Sequence, residues 1–198
     1  MSYPIVNNVP IMLPEGKYVE VEHELDLQTA DDYAPWVHRM ILQSLTDDMV
    51  ALDAGSGYMR LDDPCIIRMD IKLTPYVDLV GDLHALPFRA NSLDCIFVLA
   101  VFEHLRQPFT AGSEIYSALK PGGYVYAESN FVYPYHGYPH HYFNISIQGL
   151  QQVFEQFHEL KTGVVPYQMP GFAPEFIFSY TWISLSRKPP PTGSSPNR

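Results

Sequence analysis

The sequence predicts an α/β fold built on a mostly parallel sheet, and three observations carry that prediction. Short apolar runs recur between turns at residues 50–53, 65–69, 77–80, 95–99 and 123–129. Helical patterns follow the later runs, with Ile115 and Leu119 before the stop signal Lys120-Pro121-Gly122-Gly123, and Ile147, Leu150, Phe154 and Phe157 further on. Strands interleaved with helices need crossover connections, and those make parallel sheets. The third observation is that acids and glycines gather where the runs end, as in "LDAGSG", which is where a parallel sheet binds its ligands.

Taken in order, the chain opens on a proline-containing stretch followed by "KYVEVEHELDL". There Val19, Val21, Leu25 and Leu27 alternate with Glu20, Glu22, Glu24 and Asp26, a period of two that predicts an extended edge or covering segment. From Asp31 the period changes. Tyr33, Trp36, Val37, Met40, Ile41 and Ser44 share one helical face, with Asp31 or Asp32 as N-cap. The apolar runs come next, and residues 160–165 and 176–185 supply a weaker strand and a closing one. The tail "KPPPTGSSPNR" lacks apolar anchors and is expected to be disordered. The expected organisation is an extended segment over 1–30, one domain over 31–188 and a tail over 189–198. A chain of 198 residues, 46 % hydrophobic, suits a single domain with a sizeable core.

Charge and composition exclude several functions. A formal net charge of −10 opposes nucleic acid as a partner, because such binding relies on Lys and Arg neutralising phosphates. No apolar stretch reaches the roughly 18 residues of a membrane span, and the N-terminus lacks the basic flank and apolar segment of a signal peptide. A soluble, cytoplasmic protein with no membrane partner is expected. Cys65 and Cys95 each open an apolar run and read as two buried thiols rather than a disulfide or metal pair.

The strand ends carry the chemistry. The first run ends in Asp53-Ala54-Gly55-Ser56-Gly57, whose glycines permit positive φ and let a ligand lie against bare backbone. Such a turn also occurs for purely structural reasons. The second run ends in Asp70, placed to accept hydrogen bonds from two ribose hydroxyls. Asp82 follows the third run, and Leu99 and Ala100 end the fourth. A dinucleotide site would want a third glycine where Arg60 stands, which disfavours NAD.

The segments "LDAGSG", "DLHALPF", "SLDCIFVLAVFEHL", "LKPGGYVYAES" and "HHYFNISIQGLQQVF", in this order and spacing, resemble a class I S-adenosylmethionine-dependent methyltransferase of the type 11 group. The resemblance runs over about residues 50–157. It implies a Rossmann-like sheet of about seven strands in the order 3-2-1-4-5-7-6, the last strand antiparallel, with S-adenosylmethionine as cofactor. On that resemblance Asp53, Ala54, Gly55 and Gly57 line the methionine end, and Asp70 holds the ribose. Asp82 and the backbone of Leu83 meet the adenine edge, Ile71 packs on its face, and Leu99 and Ala100 pass beside the methionine part.

Methyl transfer to a small-molecule acceptor needs mainly in-line positioning, plus removal of a proton when the acceptor is a hydroxyl. Glu103, His104, His136, His140 and His141 are the candidate bases near the expected cleft. His104 is favoured, with a helix-capping role as its structural alternative. "NFVYPYHGYPHHYF" is expected over the cleft, as a gating or a packing loop, with Tyr133, Tyr135, Tyr138, Tyr142 and Phe143 forming an aromatic wall. Its histidines lack a matching carboxylate or cysteine spacing, so no metal is expected.

The sharpest departure from the family pattern lies at "GSGYMRLDDP". Only residues 58–65 separate Gly57 from Ile66, room for at most one helical turn, whereas a parallel crossover usually needs about ten to twelve residues. The first crossover helix is therefore expected to be reduced or absent. The N-terminal segment or a second copy of the chain, as a homodimer, is left to cover that flank. Arg60 is either a cation for the cofactor carboxylate or a solvated loop residue. The alternative to catalysis is a methyltransferase-like binding or scaffold protein without turnover.

Overall fold

The computed structural model describes residues 3–15, 17, 20–21, 45–59, 63–131, 135–137, 139–167 and 179–191. The helix expected over 33–44, Arg60, Tyr133, Tyr138, most of the alternating run before Asp31, the start of the closing strand at 176–178 and the tail from 192 lie outside them.

The described chain holds eleven strands and two α-helices, the first helix following the eighth strand and the second following the ninth. The strands are β1 (Ile5–Val6), β2 (Val9–Met12), β3 (Glu20–Val21), β4 (Ala51–Ala54), β5 (Ile66–Asp70), β6 (Lys72–Leu73), β7 (Leu79–Gly81), β8 (Leu93–Leu99), β9 (Leu119–Asn130), β10 (His158–Tyr167) and β11 (Ser179–Arg187). The helices are α1 (Pro108–Ala118) and α2 (Ile147–Val153). Each helix starts where its sequence allows. Pro108 supplies the preset φ of a first helical position, and Ser146 accepts from the Gly149 amide at 3.2 Å as the N-cap of α2.

Nine strands form one sheet in the order β1-β2-β7-β5-β4-β8-β9-β11-β10. The seven from β7 to β10 follow the expected 3-2-1-4-5-7-6 order. β11 runs antiparallel between β9 and β10. The difference from expectation is at the other edge. β1 and β2 form a hairpin, and β2 pairs parallel to β7, so the N-terminal segment extends the sheet by two strands. Asn7 and Asn8 make its turn at φ 50° and 67°, the left-handed conformation that suits a two-residue hairpin and that asparagine tolerates. β3 pairs parallel with β6 as a separate two-stranded ladder.

β4 and β5 pair in parallel although only residues 55–65 join them. Among the described residues of that crossover there is no helix, as the spacing predicts. Hydrogen bonds hold the turn instead. The amides of Gly55 and Ser56 both donate to the Met69 carbonyl, at 2.8 and 3.1 Å, and the Cys65 amide donates to the Asp63 carboxylate at 2.9 Å.

Among the described residues, the two faces of the sheet carry clusters of different size. On one, Leu52, Met69, Ile96, Val98, Val125 and Ala127 pack under Ala111 and Ile115 of α1 and Leu150 and Val153 of α2 in the main core. Phe154 and Phe157 continue that packing beyond α2 with rings 5.6 Å apart. The other face holds a smaller cluster of Ala51, Ile66, Cys95, Phe97 and Tyr126. Leu45 and Met59 pack against it, Met59 coming from the shortened crossover itself. Both cysteines are free, Cys95 buried and Cys65 half-buried, and burial pushes the Cys95 thiol up to about 12. No helix among the described residues is long and apolar enough to cross a membrane.

Candidate functional site

A cleft of about 470 Å³ opens at the carboxyl ends of β4, β5, β7 and β8, within the usual range for a small-molecule site. Its floor at β4 is the glycine turn. Gly55 and Gly57 both line it, at φ +90° and +55°. A Cβ on Gly55 would stand 2.2 Å from Val101 Cγ2, so the turn and the segment after β8 approach as closely as they do only because that atom is missing. Between the glycines, Ser56 Oγ is buried and has no hydrogen-bond partner among the described residues.

At the end of β5, Asp70 lines the cleft and ties the turn down. One carboxylate oxygen accepts from the Gly57 amide at 2.9 Å, the other from the Lys72 amide at 3.0 Å. Thr74 reinforces this by donating to the Gly57 carbonyl at 2.8 Å. Ile71 presents an exposed side chain to the same space.

At the end of β7, Asp82 is buried and forms an ion pair with Lys17. It also accepts from the His84 amide at 2.9 Å and lies 2.7 Å from His84 Nδ1. His84 Nε2 accepts from the Gln107 amide at 3.2 Å. Burial, and then the Lys17 ammonium, hold the His84 pKa below its ordinary value, so a neutral ring passes its single N–H to Asp82. Leu83 completes this wall.

Opposite stands the segment after β8. Ala100 adopts φ +52°, rare for a residue with a Cβ, while its amide donates to the Glu128 carbonyl at 3.0 Å. A 3-10 turn over Phe102–His104 follows. His104 lines the cleft. Its Nδ1 lies 2.6 Å from the His140 carbonyl, which fixes the proton on Nδ1 and leaves the Nε2 lone pair free. Burial holds the His104 pKa below its ordinary value, the leading effect on it.

Glu103 points away from solvent, fully buried. Its carboxylate accepts from Asn130 Nδ2 at 2.7 Å and Ser129 Oγ at 3.2 Å, and its carbonyl accepts from the amides of Tyr142 and Phe143 at 2.7 and 3.3 Å. The turn after β8 is thus stitched to the segment after β9. That segment brings His140 and Tyr142 to the cleft and His136 to within 3.9 Å of Glu103.

The cleft therefore gathers Gly55, Gly57, Asp70, Ile71, Asp82, Leu83, Ala100 and His104. Asp53 and Ala54 are buried in β4, and Leu99 packs against the smaller cluster; none of the three is among the lining residues. Sequence reasoning missed Lys17 and His84. His84 was within reach of it, as an imidazole two residues after a strand-end acid; Lys17 had no local signal.

A glycine turn and two carboxylates at the ends of adjacent parallel strands, in a sheet of this order, are the arrangement that the resemblance to class I methyltransferases implies. Residues 49–127 match the family described as a methyltransferase domain. Among solved structures, the chain is similar to a SAM-dependent methyltransferase from Methanosarcina mazei at 14 % identity, with 80 % of this chain and 99 % of that one covered and a TM-score of 0.59. It is also similar to the [4+2]-cyclase SpnF at 17 % identity, covering 72 % and 75 %, TM-score 0.55. A third likeness is to the MccD protein at 10 % identity, covering 77 % and 94 %, TM-score 0.54. No curated protein matches the chain.

Proposed function

We propose that the chain binds S-adenosylmethionine in this cleft and passes the methyl group to a small organic acceptor. The observation that carries the reading is the convergence of Gly55, Gly57, Asp70 and Asp82 on one cavity in the order that the family resemblance implies. The bound cofactor would supply an activated methyl on a sulfonium, so the protein has mainly to align and to exclude water. Asp70 holds the turn and keeps lone pairs for ribose hydroxyls. Ile71 and Leu83 offer apolar contact to the base. His104 Nε2 faces the acceptor end, where it takes the proton that a hydroxyl acceptor gives up as its oxygen bonds the methyl carbon. Tyr142 beside it, with Tyr135 and Phe143 exposed on the same segment, supports an aromatic-walled acceptor site. The net charge of −10 favours a neutral or cationic molecule.

A second reading, binding without turnover, draws on Asp82. Its carboxylate already serves Lys17 and His84, so the adenine amino group must displace the lysine to reach it.

Titration calorimetry with S-adenosylhomocysteine, followed by transfer of labelled methyl to a panel of small amines, phenols and alcohols, separates the readings. Binding with transfer supports the first. Binding with no transfer across the panel supports the second, and no heat at high micromolar protein sinks both.

A further inference from the structure

We propose that Glu103, His104 and His136 form a binding site for a divalent metal ion of the zinc class at the acceptor end of the cleft. One donor atom from each, a carboxylate oxygen and two imidazole nitrogens, lies within 4.8 Å of the others. Two imidazoles and a carboxylate are a borderline-soft donor set that zinc accepts while keeping a position open.

Three features show that these donors are held for a ligand. His104 has its Nδ1 committed to the His140 carbonyl at 2.6 Å, the outer contact that turns the Nε2 lone pair of a metal-binding histidine toward its ion. Glu103 is clamped by Asn130 and Ser129, which orient its carboxylate without supplying charge. No Lys or Arg pairs with it among the described residues. The hydrogen bonds to this fully buried carboxylate come from neutral groups, and a bound cation in front of it adds the opposite charge that they lack. The third donor comes from a separate segment. His136 Nε2 stands 3.9 Å from the Glu103 carboxylate, and its ring lies 5.0 Å from that of His104, edge to face.

His141 is nearby but spoken for. Its Nδ1 accepts from the His136 amide at 3.2 Å and its Nε2 lies 2.7 Å from Asn144 Oδ1, so it positions His136 rather than ligating. Zinc bonds of about 2.0–2.1 Å put tetrahedral donors about 3.3 Å apart, so the ion closes the His136–Glu103 edge slightly. The one-third exposed side chain of His136 leaves room for that movement. Of the three donors His104 lines the cleft, and Glu103 is buried behind it. In the loaded protein the Nε2 lone pair of His104 is committed to the metal, and an acceptor proton goes to solvent instead.

The site is tested on the untagged full chain, stripped with chelator, with no methyl donor or acceptor present. Titration with Co²⁺ is followed by its visible ligand-field absorption, and with Zn²⁺ by competition calorimetry. One equivalent is expected to bind, with the intense cobalt bands of a four- or five-coordinate site. His136→Asn and Glu103→Gln should each weaken binding about 100-fold and Asn130→Ala about 10-fold, in line with the cost of losing a metal's supporting partner. His141→Asn should retain it. Absence of cobalt bands in the parent overturns the proposal, as does undiminished binding in His136→Asn, whose half-buried site tolerates the change even if Glu103→Gln fails to fold. S-adenosylhomocysteine titration of the same stripped parent reports the cofactor cleft separately, so failure of one reading is distinguishable from failure of the other.

Discussion

The two ends of the cleft are built differently. At the adenosine end, Asp70 and Asp82 sit on the last residue of one strand and just past the end of the next, and both carboxylates already accept from protein donors: the amides of Gly57 and Lys72 for one, Lys17 and His84 for the other. At the acceptor end, Glu103, His104 and His136 come from a 3-10 turn and a separate segment, and the Nε2 lone pair of His104 stands free. The two strand-end acids are thus engaged before any ligand arrives, while His104 at the other end keeps one ring nitrogen for a ligand. A ligand that reaches Asp82 must compete with Lys17; one that meets His104 Nε2 need not.

Several substitutions probe that contrast. The largest effect is expected from Asp70→Ala, which removes charge-assisted hydrogen bonds to the amides of Gly57 in the turn and of Lys72, along with the ribose acceptor. At about 1.5–3 kcal/mol for a bond to a charged group, S-adenosylhomocysteine affinity should fall about 100-fold in a calorimetric titration. An unchanged affinity would mean that the adenosine end does not hold the cofactor. Gly55→Ala puts a Cβ into Val101 at φ +90°. Left-handed strain and overpacking together should cost about 2–4 kcal/mol in denaturant unfolding, joining the two ends through one missing atom.

Glu128 tests the wall behind the acceptor end, where its carbonyl holds Ala100. Burial raises its carboxyl to about 7, with the Tyr126 hydroxyl donating to it. A folded pKa above the unfolded one favours the protonated form, so its contribution is fully present below about 4.5 and is lost as the pH rises through about 7. Glu128→Gln should therefore gain stability relative to the parent over that window, by about 3 kcal/mol at pH 8, seen as a difference in thermal unfolding curves. The smallest expected effect is Lys17→Ala. Its ammonium is half exposed, so freeing Asp82 should tighten S-adenosylhomocysteine about fivefold, in keeping with the modest strength of exposed pairs. Weaker binding in that variant would make Lys17 a ligand contact instead of a competitor.

Much of the adenosine end was legible because its signals are local. An apolar run followed by Asp and two glycines, or by a terminal acid, places a carboxylate at a strand end wherever that strand lies in the sheet. The shortened crossover was legible by counting residues from Gly57 to Ile66. The β1–β2 hairpin is equally local, two short pairs around Asn7-Asn8, but its strands are only two and four residues long, too short for a period to stand out. The acceptor end was much less so. The loop histidines lacked a carboxylate partner in their own stretch of sequence. The fold supplies it from the turn after β8, where Glu103 precedes His104 by one residue and yet points to the interior.

By itself, then, the sequence determined where the central strands fall, the glycine turn and the acids at β5 and β7, because periodicity, turn chemistry and strand ends depend on neighbours a few residues apart; the strand order came with the family resemblance. Only the tertiary structure decided that Lys17 occupies Asp82, that β2 extends the sheet and that Glu103 meets His136. Those contacts join segments distant in the chain, and their existence depends on which surfaces the packed sheet brings face to face.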